Sequence, residues 1–156
     1  MKKVLFISST GGHLSEMLML KDMFDKYDYY LITEGTKSNM KLSDKYPNKV
    51  SYLVYGTKAH LFSYLFKFSY NCLKSIYLYV AIRPQYIVTT GAHTAVPMCY
   101  LGKLFGSKVI YIETFANIST KTLSGRLIYP ISDLFIVQWE TMQREYPKAV
   151  LGGWIY

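Results

Sequence analysis

Short apolar runs and segments of helical periodicity alternate along the whole chain. Apolar runs rich in branched and aromatic side chains predict strands, and apolar positions that recur every three to four residues predict helices. Residues 36–48 are polar and contain Pro47, which predicts a loop with room for one helical turn. The predicted strands are 4–7, 29–33, 50–55, 86–90, 109–112, 134–137 and 149–151, and the predicted helices are 14–24, 60–83, 95–105, 123–131 and 141–146.

This alternation is typical of an α/β protein. Consecutive strand–helix–strand units close with one hand, so they predict a parallel sheet with helices on both faces. The 156 residues fit a single domain, residues 1–156, and are too few for two nucleotide-binding domains. No linker, repeat or low-complexity segment interrupts the pattern.

The cysteines and the first residues indicate the compartment. Cys72 and Cys99 lie in apolar sequence without CxxC spacing, which predicts buried, reduced thiols and no zinc site. The apolar run that follows Met1 stops at Ile7, which is too short for a signal peptide. We therefore expect an uncleaved, cytoplasmic chain.

The composition combines a high apolar content with positive charge. Hydrophobic residues make up 51% of the chain and charged residues 18%, yet the net charge is +8. Nucleic acid, an anionic membrane surface and phosphorylated substrates are all compatible with that charge. The low density of charge and the 16 tyrosines favour a membrane surface.

A glycine-rich loop, residues 8–13 (SSTGGH), connects the first predicted strand to the first helix. Glycines let the backbone turn sharply and approach a ligand closely, and the start of the helix directs unpaired N–H groups at the same place. Ser9, Thr10 and His13 add side-chain donors. The loop therefore predicts a site for phosphate or another anion, although glycines needed only for the turn are an open alternative.

A second loop of the same kind, residues 89–94 (TTGAHT), follows the fourth strand. We call these two the glycine–histidine loops. Because the carboxyl ends of parallel strands meet at one edge, both loops are expected there, where they would clasp a diphosphate. Glu113 follows the fifth strand at this edge and could act as a base or bind a sugar hydroxyl. Two histidines without a carboxylate at ligand spacing predict no metal site, and no cofactor is expected. The predicted anion-binding residues are Ser9, Thr10, Gly11, Gly12, Gly91, Ala92, His93 and Thr94.

The segment 60–83 approaches the length of a membrane span. Two lysines in its middle exclude a true span, because each would be costly at the bilayer centre. Placed on a helix, His60, Ser63, Lys67, Asn71 and Lys74 share one narrow arc among aromatic and aliphatic residues. The segment is predicted to cover the sheet or to lie at a membrane interface, and the two are compatible because a helix can face the sheet on one side and lipid on the other. At an interface, His60, Lys67 and Lys74 would meet anionic lipid.

Two other functions stay open at this point. Glu34 ends the second predicted strand, where an acidic residue would hold a ribose, so a stand-alone nucleotide-binding or oxidoreductase domain is one alternative. The missing GxGxxG and GxxxxGK[ST] patterns count against it. A basic nucleic-acid-binding protein is the other, and only residues 60–74 offer lysines among aromatics.

Four motifs carry a family resemblance: residues 9–17 (STGGHLSEM), 90–97 (TGAHTAVP), 112–114 (IET) and 137–140 (VQWE). Together they resemble the accessory subunit of bacterial two-subunit glycosyltransferases of capsule and exopolysaccharide synthesis. That subunit is similar to the membrane-anchor subunit of the eukaryotic two-part N-acetylglucosamine transferase of lipid-linked oligosaccharide assembly. A more distant resemblance is to the N-terminal half of the peptidoglycan lipid-linked GlcNAc transferase, a GT-B enzyme.

The resemblance implies a Rossmann-like, acceptor-side half of a split GT-B enzyme. The chain would be peripheral on the cytoplasmic membrane and would dock a polyprenyl-diphosphate-linked sugar. A separate donor-binding subunit would supply a nucleotide-activated hexose, so the chain alone would be an inactive, non-catalytic or partly catalytic subunit. The eukaryotic anchor carries an N-terminal transmembrane helix. No counterpart is expected in residues 1–156, so membrane binding is expected to rest on segment 60–83.

The same resemblance suggests roles for individual residues. His13 is the candidate for activating the acceptor hydroxyl, and Glu113 is a second catalytic candidate. Near the C-terminus, Trp139, Trp154 and Tyr156 are residue types enriched at interface hot spots, so they are expected to contact the partner subunit. No nucleic acid is expected as a partner under this interpretation.

Overall fold

The structure is a computed structural model that describes residues 1–56 and 61–155, apart from the side chain of Leu61. Its centre is a seven-stranded sheet with the strand order 3-2-1-4-5-6-7, and every pairing is parallel. The prediction of a parallel α/β sheet is confirmed. The strands are β1 (Lys3–Ser8), β2 (Asp28–Gly35), β3 (Val50–Val54), β4 (Tyr86–Gly91), β5 (Lys108–Ile112), β6 (Leu134–Val137) and β7 (Val150–Leu151).

The helices occupy the connections between the strands. They are α1 (Gly12–Met19), α2 (Leu42–Lys45), α3 (Leu61–Ile82), α4 (Val96–Leu104), α5 (Leu123–Ile128) and α6 (Glu140–Glu145). The first helix is shorter than predicted, because Leu20 N–H bonds to Met17 O and a 3₁₀ segment, Lys21–Lys26, continues the chain. That segment still buries Phe24, whose ring packs edge-on against Phe6 and stacks on Tyr29.

Alternate residues of the strands face two separate cores. On β1, Leu5 and Ile7 belong to one core, together with residues of α3, α4 and α6. Val4 and Phe6 belong to the other, together with α1 and the 3₁₀ segment. Strand alternation therefore sorts the apolar residues to both sides of the sheet, and helices cover both faces as predicted.

Helix α3 turns its polar arc towards the protein rather than uniformly outwards. Asn71 is buried, and its amide donates to Val54 O and accepts from Val54 N, both at 2.8 Å, at the edge strand β3. Lys67 and Lys74 are half-buried beside it, and His60 lies outside the described residues. The membrane-surface roles of these three cationic residues stay predictions.

The outward face of α3 is apolar instead. Its side chains are exposed by between 46% and 78% of their surface, although they are large and hydrophobic. We call these residues the α3 outer face: Phe62, Leu65, Phe66, Tyr70, Leu73, Ile76, Tyr77 and Val80. Within the described parts of the chain, no helix is both long enough and apolar enough to cross a bilayer.

Candidate functional site

The candidate site lies at the carboxyl edge of the sheet, between β1 and β4. The strand order reverses at β1, since β2 and β4 flank it, and ligands of such sheets bind in the crevice at that point. The two glycine–histidine loops meet there. Ser9 N donates to Gly91 O at 2.9 Å, and Ala92 N donates to Ser9 Oγ at 3.2 Å. The sequence-predicted loops therefore form one continuous surface.

His13 is held against the second loop by its backbone and by its ring. Its Nδ1 lies 2.7 Å from Thr90 O, and Thr90 Oγ1 donates to His13 O at 2.7 Å. A carbonyl oxygen only accepts hydrogen bonds, so Nδ1 carries the proton and Nε2 of the neutral ring keeps a lone pair. The side chain is 26% exposed. His13 can therefore accept a proton from a bound hydroxyl group while its ring orientation is fixed.

Gly91 makes this arrangement sterically feasible. Its φ is +97°, a conformation that side chains of L-residues rarely adopt. A Cβ at this position would also lie 3.3 Å from the His13 ring and 3.3 Å from the Tyr111 hydroxyl. The glycine therefore serves both the turn and the close approach of the imidazole.

The backbone around Gly11 and Gly12 is open to a ligand. No atom lies within 4 Å of a Cβ built at either glycine, and α1 begins without a side-chain cap. The 3₁₀ turn His93–Ala95, which continues directly into α4, also starts without a side-chain cap. Uncapped helical starts leave N–H groups and the positive end of the helix dipole available to an anion. The geometry at this edge suits a diphosphate, and its binding stays a prediction.

The buried carboxylate of Glu34, near the end of β2, accepts hydrogen bonds from both glycine–histidine loops. Only 2% of the residue is exposed, Thr94 Oγ1 donates to Oε1 at 2.6 Å, and Thr10 N donates to Oε2 at 3.4 Å. His93 Nε2 lies 3.6 Å from the same carboxylate. Thr10, His93 and Thr94 are thus brought together by one buried acid. With its oxygens engaged in this way, Glu34 offers little support for a ribose-binding role.

Glu113 lies beneath the edge and has no exposed surface. Its carboxylate accepts hydrogen bonds from Thr114 N at 3.1 Å, from Thr122 Oγ1 at 3.1 Å and from the Tyr146 hydroxyl at 3.3 Å. Burial raises the pKa of Glu113 above its ordinary value of 4.5, although these hydrogen bonds act in the opposite direction. In this arrangement the carboxylate supports the loop from inside, and contact with a substrate would require the network to open.

Glu16 is a site residue that sequence reasoning missed. Glu34 and Glu113 are the carboxylates that the sequence predicts at the strand ends of this edge, and the structure adds Glu16 from helix α1. Glu16 Oε1 accepts from Thr114 Oγ1 at 2.7 Å and from Phe115 N at 3.0 Å, while Oε2 lies 4.0 Å from His13 Nδ1. The spacing of three residues from His13 on a helix was the available signal.

Three aromatic side chains form a cluster next to residues 113–117, the loop that follows β5, which we call the third loop. Trp139 Nε1 donates to Phe115 O at 2.7 Å, and the Phe115 ring contacts both Trp139 and Trp154, with ring centroids 4.8 Å and 5.3 Å apart. Trp154 is 75% exposed, whereas Trp139 is half-buried against the core. We call Phe115, Trp139 and Trp154 the aromatic cluster. Tyr156 lies outside the described residues.

No group of histidine, cysteine, aspartate and glutamate side chains in the described part of the chain could hold a metal ion. The chemistry at this edge rests on amide N–H groups, hydroxyl groups and the His13 imidazole. That combination suits binding of an anion beside a proton acceptor.

Comparison with solved structures agrees with the fold. The crystal structure of Acinetobacter baumannii MurG aligns with a TM-score of 0.73 at 13% identity, over 90% of this chain and 43% of that chain. The seven-stranded sheet matches the N-terminal half of GT-B glycosyltransferases such as MurG. This chain thus spans less than half the length of that enzyme.

Sequence comparison identifies the family. The mouse protein named UDP-N-acetylglucosamine transferase subunit ALG14 is 29% identical over 97% of this chain and 82% of its own length. The Candida albicans protein of the same name is 32% identical over 92% of this chain and 74% of its own length. The family profile described as "Oligosaccharide biosynthesis protein Alg14 like" matches residues 4–155. The chain therefore belongs to the Alg14-like family of oligosaccharide biosynthesis proteins.

Proposed function

We propose that this chain is the acceptor-side subunit of a split GT-B glycosyltransferase. The observation that carries the proposal is that His13, the uncapped starts of α1 and of the 3₁₀ turn His93–Ala95, and the aromatic cluster all lie at one edge of a single sheet. Such an edge forms only one wall of a cleft. Relatives named as UDP-N-acetylglucosamine transferase subunits support a glycosyltransferase role.

A separate donor-binding subunit would supply the second wall. The match to MurG covers 43% of that enzyme, and in a split enzyme the separate subunit would supply the counterpart of the remainder. A facing domain excludes water and aligns donor and acceptor. The aromatic cluster is our candidate docking surface, since an exposed tryptophan packed on a held phenylalanine suits an interface hot spot. The assembled enzyme would be a heterodimer or a higher complex.

The acceptor would be a saccharide linked to a polyprenyl diphosphate. Residues of the two glycine–histidine loops would bind the diphosphate through backbone N–H groups. His13 Nε2 would take the proton of the acceptor hydroxyl as its oxygen attacks the anomeric carbon of the donor hexose. The new carbon–oxygen bond forms as the bond to the departing nucleotide diphosphate breaks, which inverts the anomeric centre.

Membrane association would come from α3. Its outer face exposes aromatic and aliphatic side chains in one continuous stripe, and Lys67 and Lys74 flank that stripe. A helix of this kind rests in the interface with its apolar side in the lipid and its cations near anionic headgroups. We propose that the protein is peripheral on the cytoplasmic membrane. We further propose that it acts in capsule or exopolysaccharide synthesis.

The catalytic assignment is tested with His13 variants in the reconstituted pair. His13→Ala should lower transfer by about tenfold or more, as expected for lost general base catalysis. His13→Gln can still donate to Thr90 O but cannot take up a proton, so it should be as slow as His13→Ala. Asp25→Ala, an exposed residue in the 3₁₀ segment Lys21–Lys26, is the control and should transfer at the wild-type rate. Wild-type turnover by folded His13→Gln protein would exclude the role.

The partner assignment is tested by assembly. The purified chain should transfer no sugar alone, and transfer should begin when a second Rossmann-like subunit is added. Trp154→Ala, and deletion of residues 152–156, should weaken association more than they lower the melting temperature. Met19→Ala removes a side chain that is 59% exposed on α1 and should leave association unchanged. Robust transfer by the single chain, shown to be free of any copurified subunit, would refute the split-enzyme proposal.

A further inference from the structure

We propose that Glu16 is a positioning residue that fastens the third loop, residues 113–117, to helix α1 beside His13. Two donors of that loop converge on one carboxylate oxygen: Thr114 Oγ1 at 2.7 Å and Phe115 N at 3.0 Å from Oε1. The partners are 98 and 99 residues away in sequence. A carboxylate that accepts two hydrogen bonds forms stronger contacts than a neutral acceptor would.

The environment of Glu16 distinguishes it from a solvated surface acid. Only 15% of its side chain is exposed, and Oε2 is buried without a hydrogen-bond partner among the described residues. A buried oxygen left in that state costs stability. The nearest cationic or potentially cationic group that faces it is His13 Nδ1, at 4.0 Å. Glu16 is thus placed between the third loop and the imidazole, and the two bonds to Oε1 hold it there.

Phe115 carries the effect of Glu16 to the aromatic cluster. The Phe115 N–H donates to Glu16, its carbonyl accepts from Trp139 Nε1, and its ring contacts Trp154. Ala116 and residues 118–120, which continue the chain from Phe115, are exposed. Among the described residues, the hydrogen bond that links this cluster to α1 is the one from Phe115 N to Glu16 Oε1. Release of that oxygen should loosen the cluster without disturbing the sheet.

The consequence for activity rests on the proposed function. If a donor-binding subunit docks on the aromatic cluster, it will fix Phe115, and Phe115 will hold Glu16 next to His13. Docking and the position of the acceptor site are then coupled through one side chain. A displacement of about 1 Å in a catalytic site can lower the rate by as much as about a hundredfold, so a loosened tether should be visible in transfer.

The tether itself can be measured on the chain without any partner. Both tryptophans of the chain contact Phe115, so tryptophan fluorescence, excited at a wavelength that the 16 tyrosines do not absorb, reports on the surroundings of this loop. Glu16→Ala should increase acrylamide quenching and speed hydrogen exchange of the Phe115 amide by about tenfold or more, the effect of losing one charge-assisted bond. Glu16→Gln keeps an acceptor oxygen but loses the charge, so it should restore both readouts in part, to values between those of Glu16→Ala and wild type. Asp22→Asn, an exposed acid in the 3₁₀ segment Lys21–Lys26, is the matched control.

A second variant keeps the test decisive if Glu16→Ala fails to fold. Thr114→Val removes one of the two donors and should change quenching in the same direction but by less, whereas Thr114→Ser should not. In the assembled enzyme, Glu16→Ala should lower kcat on the order of tenfold, with partial rescue by Glu16→Gln.

Two results would overturn the inference. Wild-type quenching and exchange in a folded Glu16→Ala protein would show that Glu16 does not hold the loop. Equal damage by Glu16→Gln and Glu16→Ala would show that the hydrogen-bond acceptor is not what matters. Absence of transfer by every wild-type pairing would instead refute the proposed function, and the fluorescence and exchange results would still decide the role of Glu16.

Discussion

Membrane binding by the α3 outer face is the prediction with the largest measurable effect. Four side chains at the apex of that face, Phe62, Phe66, Leu73 and Tyr77, are exposed by 78%, 68%, 68% and 70%. Full burial of such a side chain contributes about 1.5–3 kcal/mol, so each would contribute roughly 1–2 kcal/mol on entering lipid. Replacing all four by serine should therefore weaken partitioning by roughly 4–8 kcal/mol, at least about a thousandfold.

Lys67 and Lys74 should contribute less to membrane binding than the apolar side chains, and their contribution should depend on salt. A basic residue near an anionic bilayer contributes about 1 kcal/mol, and that attraction is screened as salt rises. Lys67→Glu with Lys74→Glu should therefore weaken binding to anionic vesicles at low salt and have little effect on neutral vesicles. The serine variant should lose binding to both kinds of vesicle at either salt concentration.

Vesicle flotation separates these contributions. Wild type, the serine variant and the lysine variant are each floated with neutral and with anionic vesicles, at low and at high salt. Met19→Ser, on α1 and across the sheet from α3, removes a comparably exposed side chain and should float like wild type. The melting temperature of the serine variant should stay unchanged, because these side chains lie outside the core. Flotation of the serine variant equal to that of wild type would refute the role of the outer face.

Three further predictions concern the framework. Asn71→Leu should cost about 1–3 kcal/mol in urea unfolding, because two hydrogen bonds to the end of β3 are lost. Gly125→Ala should cost about 1–3 kcal/mol by overpacking, because a Cβ there would lie 2.7 Å from Glu113 Oε2; an unchanged midpoint would contradict this. Burial raises the pKa of Glu113 above 4.5 in the folded state, so its ionisation costs stability at neutral pH, and lowering the pH towards 4.5 should relieve that cost. In Glu113→Gln, the unfolding free energy should depend less on pH in this range than in wild type. The same dependence in both proteins would show that Glu113 makes no such contribution.

The strands and their connecting loops were predictable because their signals are local. A run such as residues 4–7 is buried on both faces of a parallel sheet, and hydropathy alone reveals it. The glycine–histidine loops could be assigned to one edge because every strand of a parallel sheet ends there. Two of the four motifs that carried the family resemblance lie in those loops. The similarity to the membrane-anchor subunit of the eukaryotic two-part N-acetylglucosamine transferase is confirmed by the family match, and the capsule and exopolysaccharide context stays a prediction. The helix boundary at Met19 was missed, because the 3₁₀ segment keeps Leu20 and Phe24 buried much as a continued helix would.

The orientation of α3 and the carboxylates of the site were decided only by tertiary structure. A sheet-facing apolar residue and an exposed one look alike in sequence, and the bonds of Asn71 to an edge strand show which side of α3 faces the protein. Glu113 is fully buried, and the hydroxyl of Tyr146, 33 residues later, donates a hydrogen bond to its carboxylate. Glu16 joined the site because Thr114, 98 residues away, donates to it. Local periodicity determines which segments form strands and helices, whereas contacts between distant segments determine which polar groups are buried, paired or free to act.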